Sequence, residues 1–237
     1  MSDATFLLVH GGHHGEWVWG PLQKAMADRG LATRTVTLPT AVTDASSGEP
    51  YPSMYDDAQV VREAIAEITG PVVVVAHSYA GVPVTEAITA GSGVAHAVYV
   101  AAYMVDSGES MFGVHGVPTP DSLGGLRPAA NPDLNLPLAF YDGDPTNPET
   151  AGAIARLVPQ SARADYESVT RVGWREVANS YVIPSDDISL TGTIAEQMAA
   201  RADRVFRVPG NHAPFWSNPA EFADVLVEID GLVHSAS

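Results

Sequence analysis

Four β-branched residues in a row, Val72-Val73-Val74-Val75, constrain this 237-residue chain more than any other feature. Such a run suits a parallel strand buried on both faces, which requires helices on both sides of the sheet. It leads directly into Ala76-His77-Ser78-Tyr79-Ala80-Gly81. A helix is expected from Gly81-Val82-Pro83, with Pro83 in the first turn, where its missing N–H costs little. A serine on a sharp turn between a buried strand and a helix is held exposed at the C-terminal edge of the sheet. That is the arrangement of an activated serine nucleophile. The familiar pattern carries glycine two residues before and after the serine; here Ala76 and Ala80 hold those places.

The rest of the chain repeats the strand–helix theme. Phe6-Leu7-Leu8-Val9 ends in glycines and reads as a buried strand, and Trp17 to Arg29 as a helix stopped by Gly30. Ala58, Val61, Ile65 and Ile68 recur at helical spacing between Tyr55 and Thr69, and Gly70-Pro71 closes that helix. Strands are expected at His96 to Ala102, Ser180 to Ile183 and Arg204 to Val208. A helix is expected near Ile194 to Ala202, and a last one has Asn218 as N-cap and Pro219 at its first position. This alternation predicts an α/β fold with a mostly parallel central sheet and helices on both faces. It breaks from Ser107 to Pro148, which is rich in Pro and Gly, and helical character returns at Thr150 to Leu157 and Ala162 to Val177. Residues 1–106 and 179–237 are therefore expected to form the core, and 107–178 an inserted lid above the site.

Composition narrows the function. Twenty-eight acidic against twelve basic residues give a formal net charge of −16, which repels nucleic acid and anionic membranes. With no cysteine, disulfides, thiolate metal sites and cysteine nucleophiles are excluded. The N-terminus lacks the basic region and apolar length of a signal peptide, so a cytoplasmic protein is expected. Its expected partners are a small-molecule ester and, in a homodimer, a second copy of the chain. No cofactor or metal is expected. His10, His13, His14 and Glu16 cluster, but the intervening glycines suit a turn better than a ligand cage.

A serine nucleophile needs a base. Of eight histidines, only His212 sits in a short loop between the last strand and the last helix, from which it can turn back toward Ser78. The acid that orients it is expected from Asp186 or Asp187, after the strand ending at Ile183, with Asp106 as an alternative from the preceding strand; spacing does not choose. The tetrahedral intermediate needs two backbone donors: one from Tyr79, the other from the glycine-rich loop His10 to Gly15.

Together these segments resemble a known family. Leu8-Val9-His10-Gly11-Gly12, His14-Gly15 and Trp17 with Trp19; Ala76 to Gly81; Val98 to Tyr103 with Gly108-Glu109-Ser110; Leu157 to Ser161; Tyr181-Val182 with Asp187; and Gly210-Asn211-His212 are similar to the small esterase branch of the α/β-hydrolases. That branch also holds plant methylesterases and hydroxynitrile lyases. The resemblance runs from Phe6 to about Ile229 and is weakest across Gly113 to Asn147. It implies a catalytic triad of Ser78, His212 and Asp187, the acid being fixed by its spacing from Tyr181. It also implies Gly12 as the second oxyanion donor beside Tyr79. The chain departs from the family at Ala76 and Ala80 and at Pro184-Ser185. The lyases carry a lysine after the catalytic histidine and a threonine after the first-strand histidine; here Ala213 and Gly11 stand there, so ester hydrolysis is expected. Lactone opening, cyclisation and C–C cleavage on the same scaffold are the alternatives. Substrate-binding residues are expected among His14, Trp17, Tyr103, Phe112 and Trp174, with Met111, Phe140 and Trp216 as further aromatic or methionine candidates. Such a lining suits an apolar or aromatic ester of small or medium size.

Overall fold

The computed structural model describes residues 4–129, 135–190 and 192–235. Strands β1 (Thr5–Val9) and β2 (Ala32–Val36) are joined through α1 (Gly20–Ala27), and α2 (Met54–Ala66) leads to β3 (Val72–His77). Next come α3 (Gly81–Ala87) and β4 (Val94–Val100). A stretch of short pieces follows: β5 (Leu126–Arg127), α4 (Leu136–Phe140), α5 (Pro148–Ile154), β6 (Gln160–Ser161) and α6 (Arg163–Tyr166). The sheet resumes with β7 (Asn179–Pro184), α7 (Gly192–Ala199) and β8 (Arg204–Val208), and the described chain closes with α8 (Pro214–Ser217) and α9 (Pro219–Ser235). The main sheet has the order β2-β1-β3-β4-β7-β8, and every pairing in it is parallel.

The valine run does what its composition requires. All six residues of β3 are buried. Val72, Val74 and Ala76 face a core shared with α2, α3 and α7, whereas Val73 and Val75 face a second core shared with α1 and α9. Burying one valine stabilises the fold by about 1.5–3 kcal/mol, so four of them in a strand six residues long anchor the sheet's centre. Helix α2 begins with a capping box in which Ser53 and Asp56 satisfy each other's backbone N–H groups.

One strand is added to the expected set, and one expected helix shortens. β2 is an edge strand of sequence Ala-Thr-Arg-Thr-Val with alternating exposure, and its polar face hides it from a search for apolar runs. The expected helix over Ala162 to Val177 shrinks to α6 and a single 3₁₀ turn at Gly173–Arg175. The buried carboxylate of Glu86 accepts from Thr170 N (2.7 Å) and Arg171 N (3.1 Å), drawing those amides away from helical pairing.

Ser78 follows β3 next to β1, where the strand order reverses direction. In sheets of this kind that point opens a crevice at the carboxyl ends of the strands.

Candidate active site

The turn after β3 is strained and tightly supported. Ser78 has φ +53, a left-handed conformation uncommon for a side chain with a Cβ. Gly81 makes the turn fit: a Cβ there would lie 2.5 Å from the carbonyl oxygen of Tyr103. The amide of Tyr103 in turn donates to Ser78 O at 3.1 Å. Ala76 and Ala80, which replace the familiar glycines, are fully buried, so the pocket around the turn accommodates a methyl group at both places.

His212 and Asp187 complete a line of hydrogen bonds. Ser78 Oγ donates to His212 Nε2 at 2.9 Å, and His212 Nδ1 donates to Asp187 Oδ2 at 2.8 Å. The other carboxylate oxygen accepts from Ser189 N at 2.7 Å and Leu190 N at 2.9 Å, which fixes its orientation. Burial alone would raise the Asp187 pKa, but the charge and hydrogen bond of His212 and the two backbone amides together hold it below the ordinary value. Asp186 is exposed and bonds Ser185 Oγ and Gly210 N, while Asp106 pairs with Arg175. Neither meets the imidazole. Behind the ring, His77 Nε2 donates to His212 O at 3.0 Å. Burial, reinforced by neighbouring His212 and His14, keeps His77 far below the usual histidine value and therefore neutral.

The loop after β1 stands opposite. An added Cβ on Gly11 would come within 3.1 Å of Ser78 Cβ, so the loop touches the serine turn directly. His13 takes a left-handed φ of +66. Its amide donates to Gln160 Oε1 (2.9 Å), its Nδ1 donates to Val158 O (2.9 Å), and its Nε2 accepts from the Arg127 guanidinium. His10 accepts from Leu38 N at 3.0 Å, and His14 Nδ1 donates to Gly12 O at 2.8 Å. Each of these histidines is committed to holding backbone.

Beside this geometry stands a family model, described as the alpha/beta hydrolase family, that matches the sequence over residues 6–225. The chain belongs to that family. Its relatives include a probable hydrolase, R7, of Phoma sp., 24% identical over 98% of this chain and 100% of the relative. Methylesterase 9 of Arabidopsis thaliana is 23% identical over 94% of this chain and 97% of its own. The crystal structure of polyneuridine aldehyde esterase superposes with a TM-score of 0.73 at 21% identity, covering 95% of this chain and 98% of that one, a likeness of fold.

The hydrolase has a cavity of about 330 Å³ at Ser78, walled by His14, Tyr79, Tyr103, Met111, Phe112 and Phe140 among others. Of the expected substrate-binding residues, His14, Tyr103 and Phe112 reach it. Trp17 instead lines a more open neighbouring pocket of about 630 Å³ that shares His14 as a wall. Trp216 stands edge-on to Trp17 and Tyr141 rather than on the cavity. Trp174 requires a correction: its Nε1 donates to Val105 O at 2.8 Å and its ring packs in the core near the start of β7, away from the cavity.

Three features escaped the sequence reading. Arg127, on β5, lines the Ser78 cavity. Gln160, on β6, holds the His13 amide; it lies within the Leu157 to Ser161 segment that the family resemblance picks out, which was the available signal. Asp57, on α2, lies fully buried under the serine turn and accepts from Thr40 N (3.0 Å), Thr40 Oγ1 (2.6 Å) and Tyr79 OH (2.7 Å). Burial raises its pKa to about 7 despite those three donors. Among the described residues no helix is long and apolar enough to cross a membrane, and no cluster of three metal-ligating side chains occurs.

Proposed function

We propose that this hydrolase is a serine carboxylesterase that cleaves a small or medium ester through an acyl-enzyme on Ser78. The observation that carries the proposal is the unbroken Ser78–His212–Asp187 line, with hydrogen bonds of 2.9 and 2.8 Å. His212 takes the Ser78 proton as Oγ attacks the ester carbonyl, and Asp187 stabilises the imidazolium that results. The backbone N–H groups of Gly12 and Tyr79, both on the cavity wall beside Ser78, receive the oxyanion. His212 then passes the proton to the departing alcohol, and a water activated by the same ring releases the acid. The described residues of 107–161 act as a lid, whereas Ala164, Val169 and Trp174, later in the expected 107–178 insertion, belong to the core. Tyr103, just before the lid, and Met111, Phe112, Arg127, Phe140 and Leu157 wall the cavity. The esterase names carried by the relatives are consistent with this reading.

Cyanohydrin cleavage is disfavoured at the position after the histidine, because Ala213 is fully buried among apolar side chains. The deciding experiment offers p-nitrophenyl esters, aromatic methyl esters, a lactone and mandelonitrile to the wild type and to Ser78→Ala. Ester turnover and covalent fluorophosphonate labelling should both be present in the wild type and absent in the variant. Labelling that persists at another serine, or cyanide release without ester turnover, overturns the proposal.

A further inference from the structure

Among the described residues lining the Ser78 cavity, Arg127 is the one that is formally charged. The histidines there are neutral: burial drives His13 to about 4 and His14 to about 3, and holds His77 well below the usual value. The other walls include Met111, Phe112, Leu136, Phe140 and Leu157. A guanidinium in such surroundings needs its donors filled, because a desolvated charged N–H without an acceptor is costly.

Arg127 is only partly filled. Nε donates to Asp165 Oδ2 at 2.6 Å and Nη2 to Asp165 Oδ1 at 3.1 Å, while Nη1 donates to His13 Nε2. A guanidinium has five N–H donors, so two remain without an acceptor among the described residues. The side chain is 32% exposed, whereas that of Asp165 is 1% exposed and lies behind it. Nη2 also sits 3.6 Å from where a Cβ on Gly12 would be, which puts the free edge close to the oxyanion loop and hence to the reacting carbonyl.

We propose that the physiological substrate is an ester carrying a second, uncharged carbonyl oxygen on its acyl side, which Arg127 binds. This rests on the esterase reading and sharpens it to a substrate class: oxo-acid esters or compounds with an equivalent neutral carbonyl. The acceptor is neutral because Asp165 already balances Arg127. A substrate carboxylate would leave a net negative charge beside the buried Asp165, inside a chain of net charge −16. A plain alkyl chain that displaced water from both donors would give them no acceptor in return. Arg127 is on this argument a specificity-determining residue as well as a support for His13.

The test compares methyl hexanoate, the methyl esters of 3-, 4- and 5-oxohexanoic acid, and monomethyl adipate, with wild type and Arg127→Met. At least one oxo ester should exceed methyl hexanoate in kcat/KM by about 10- to 100-fold in the wild type, the range of a hydrogen bond to a charged group. Monomethyl adipate should be the poorest substrate. In Arg127→Met the oxo preference should collapse to the intrinsic reactivity ratio, measured with hydroxide. Loss of the His13 contact alone would lower all the esters equally and leave the ratio intact, so an unchanged ratio overturns the inference. A wild type that prefers monomethyl adipate, or that treats methyl hexanoate as well as every oxo ester, overturns it without any variant. Asp165→Asn supplies a second variant, in which the unbalanced guanidinium should swing preference toward monomethyl adipate. Absence of turnover with all five esters, together with no fluorophosphonate labelling of Ser78, would fail the esterase reading and the inference together. Turnover with an unaltered ratio fails the inference only.

Discussion

Asp57→Asn should make this protein more stable in mildly alkaline solution. Asp57 is fully buried, and its pKa rises from an ordinary 3.8 to about 7, with burial the largest cause. A group whose folded pKa is raised contributes stability that is fully present below its unfolded pKa and is lost as pH rises through the folded one. For Asp57 the window is therefore from about 4 to about 7, and the shift is worth about 4 kcal/mol across it. Asparagine has no such dependence. Its carbonyl oxygen can accept from Thr40 N, and its amide can donate to the hydroxyls of Thr40 and Tyr79, which rotate to accept. At pH 5, where about 1–2 kcal/mol of that stability is already lost, the two proteins should differ by no more than about 2 kcal/mol. By pH 8 to 9 the variant should lead by about 2–4 kcal/mol. Urea unfolding at five pH values from 5 to 9 measures the difference directly, and other titrating groups cancel in it. Parallel stability curves, with a constant offset at every pH, would refute the reasoning.

Three further outcomes follow from the site. Asp187→Asn should lower kcat by on the order of 10⁴-fold, as loss of the orienting acid does in serine proteases, whereas Asp186→Asn and Asp106→Asn should change it by less than about tenfold; steady-state kinetics on one ester decides this. Activity should fall on acidification because His212 must be neutral to accept the Ser78 proton, and above pH 5 none of the neighbouring buried histidines should add to that fall. The reason is that His10 and His13 are held at about 4, His14 at about 3 and His77 well below its usual value, so none of them titrates there. A log(kcat/KM) slope of two on the acid limb that persists in Asp57→Asn, where the other titrating carboxyl is removed, would contradict it. Gly81→Ala puts a Cβ 2.5 Å from Tyr103 O and 2.9 Å from its C and N, all backbone atoms. It should cost about 1–3 kcal/mol in thermal or urea unfolding and slow fluorophosphonate labelling of Ser78, while labelling at the wild-type rate would show that the turn has room.

What could be read from the chain alone depended on whether the determinants are contiguous. Ser78 and its strand–turn–helix setting occupy ten neighbouring residues, and a buried strand followed by a helix-starting proline has few other interpretations. His212 followed because only one histidine lies in the short loop after the last strand. Asp187 could be separated from Asp186 only by a spacing taken from the family, since the two are chemically identical until one turns toward the imidazole. Arg127 was invisible for a physical reason. It lies on a strand of two residues paired antiparallel to another of two, too short for either periodicity to register. Trp174 shows the reverse error: an aromatic side chain announces burial but not where, and this one went to the core.

The strand order explains why the most specific parts of this site come from its least regular segment. β1 and β3 are neighbours, so the Gly11–Gly12 loop and the Ser78 turn necessarily meet, while β7 and β8 bring Asp187 and His212 from the other side. The sheet thus brings Ser78, His212 and Asp187 together but leaves the loop after β1 held by the core on one side only. Its other side is held by the antiparallel β5–β6 pair: Gln160 takes the His13 amide, Val158 exchanges hydrogen bonds with His13, and Arg127 caps the imidazole. The left-handed φ of His13 costs free energy that these contacts offset. The β5–β6 pair is in turn tied back to the core, through Ser161 N to Thr40 O at 2.8 Å and Val42 N to Pro159 O at 2.8 Å. Thr40 also contacts Asp57, which holds Tyr79. The loop and the turn proposed to carry the two backbone donors are therefore joined through β6 by a continuous run of contacts. On the proposed function, substitutions that retune the β5–β6 pair for a new substrate would act on the oxyanion geometry as well, so substrate preference and catalytic rate would be physically coupled.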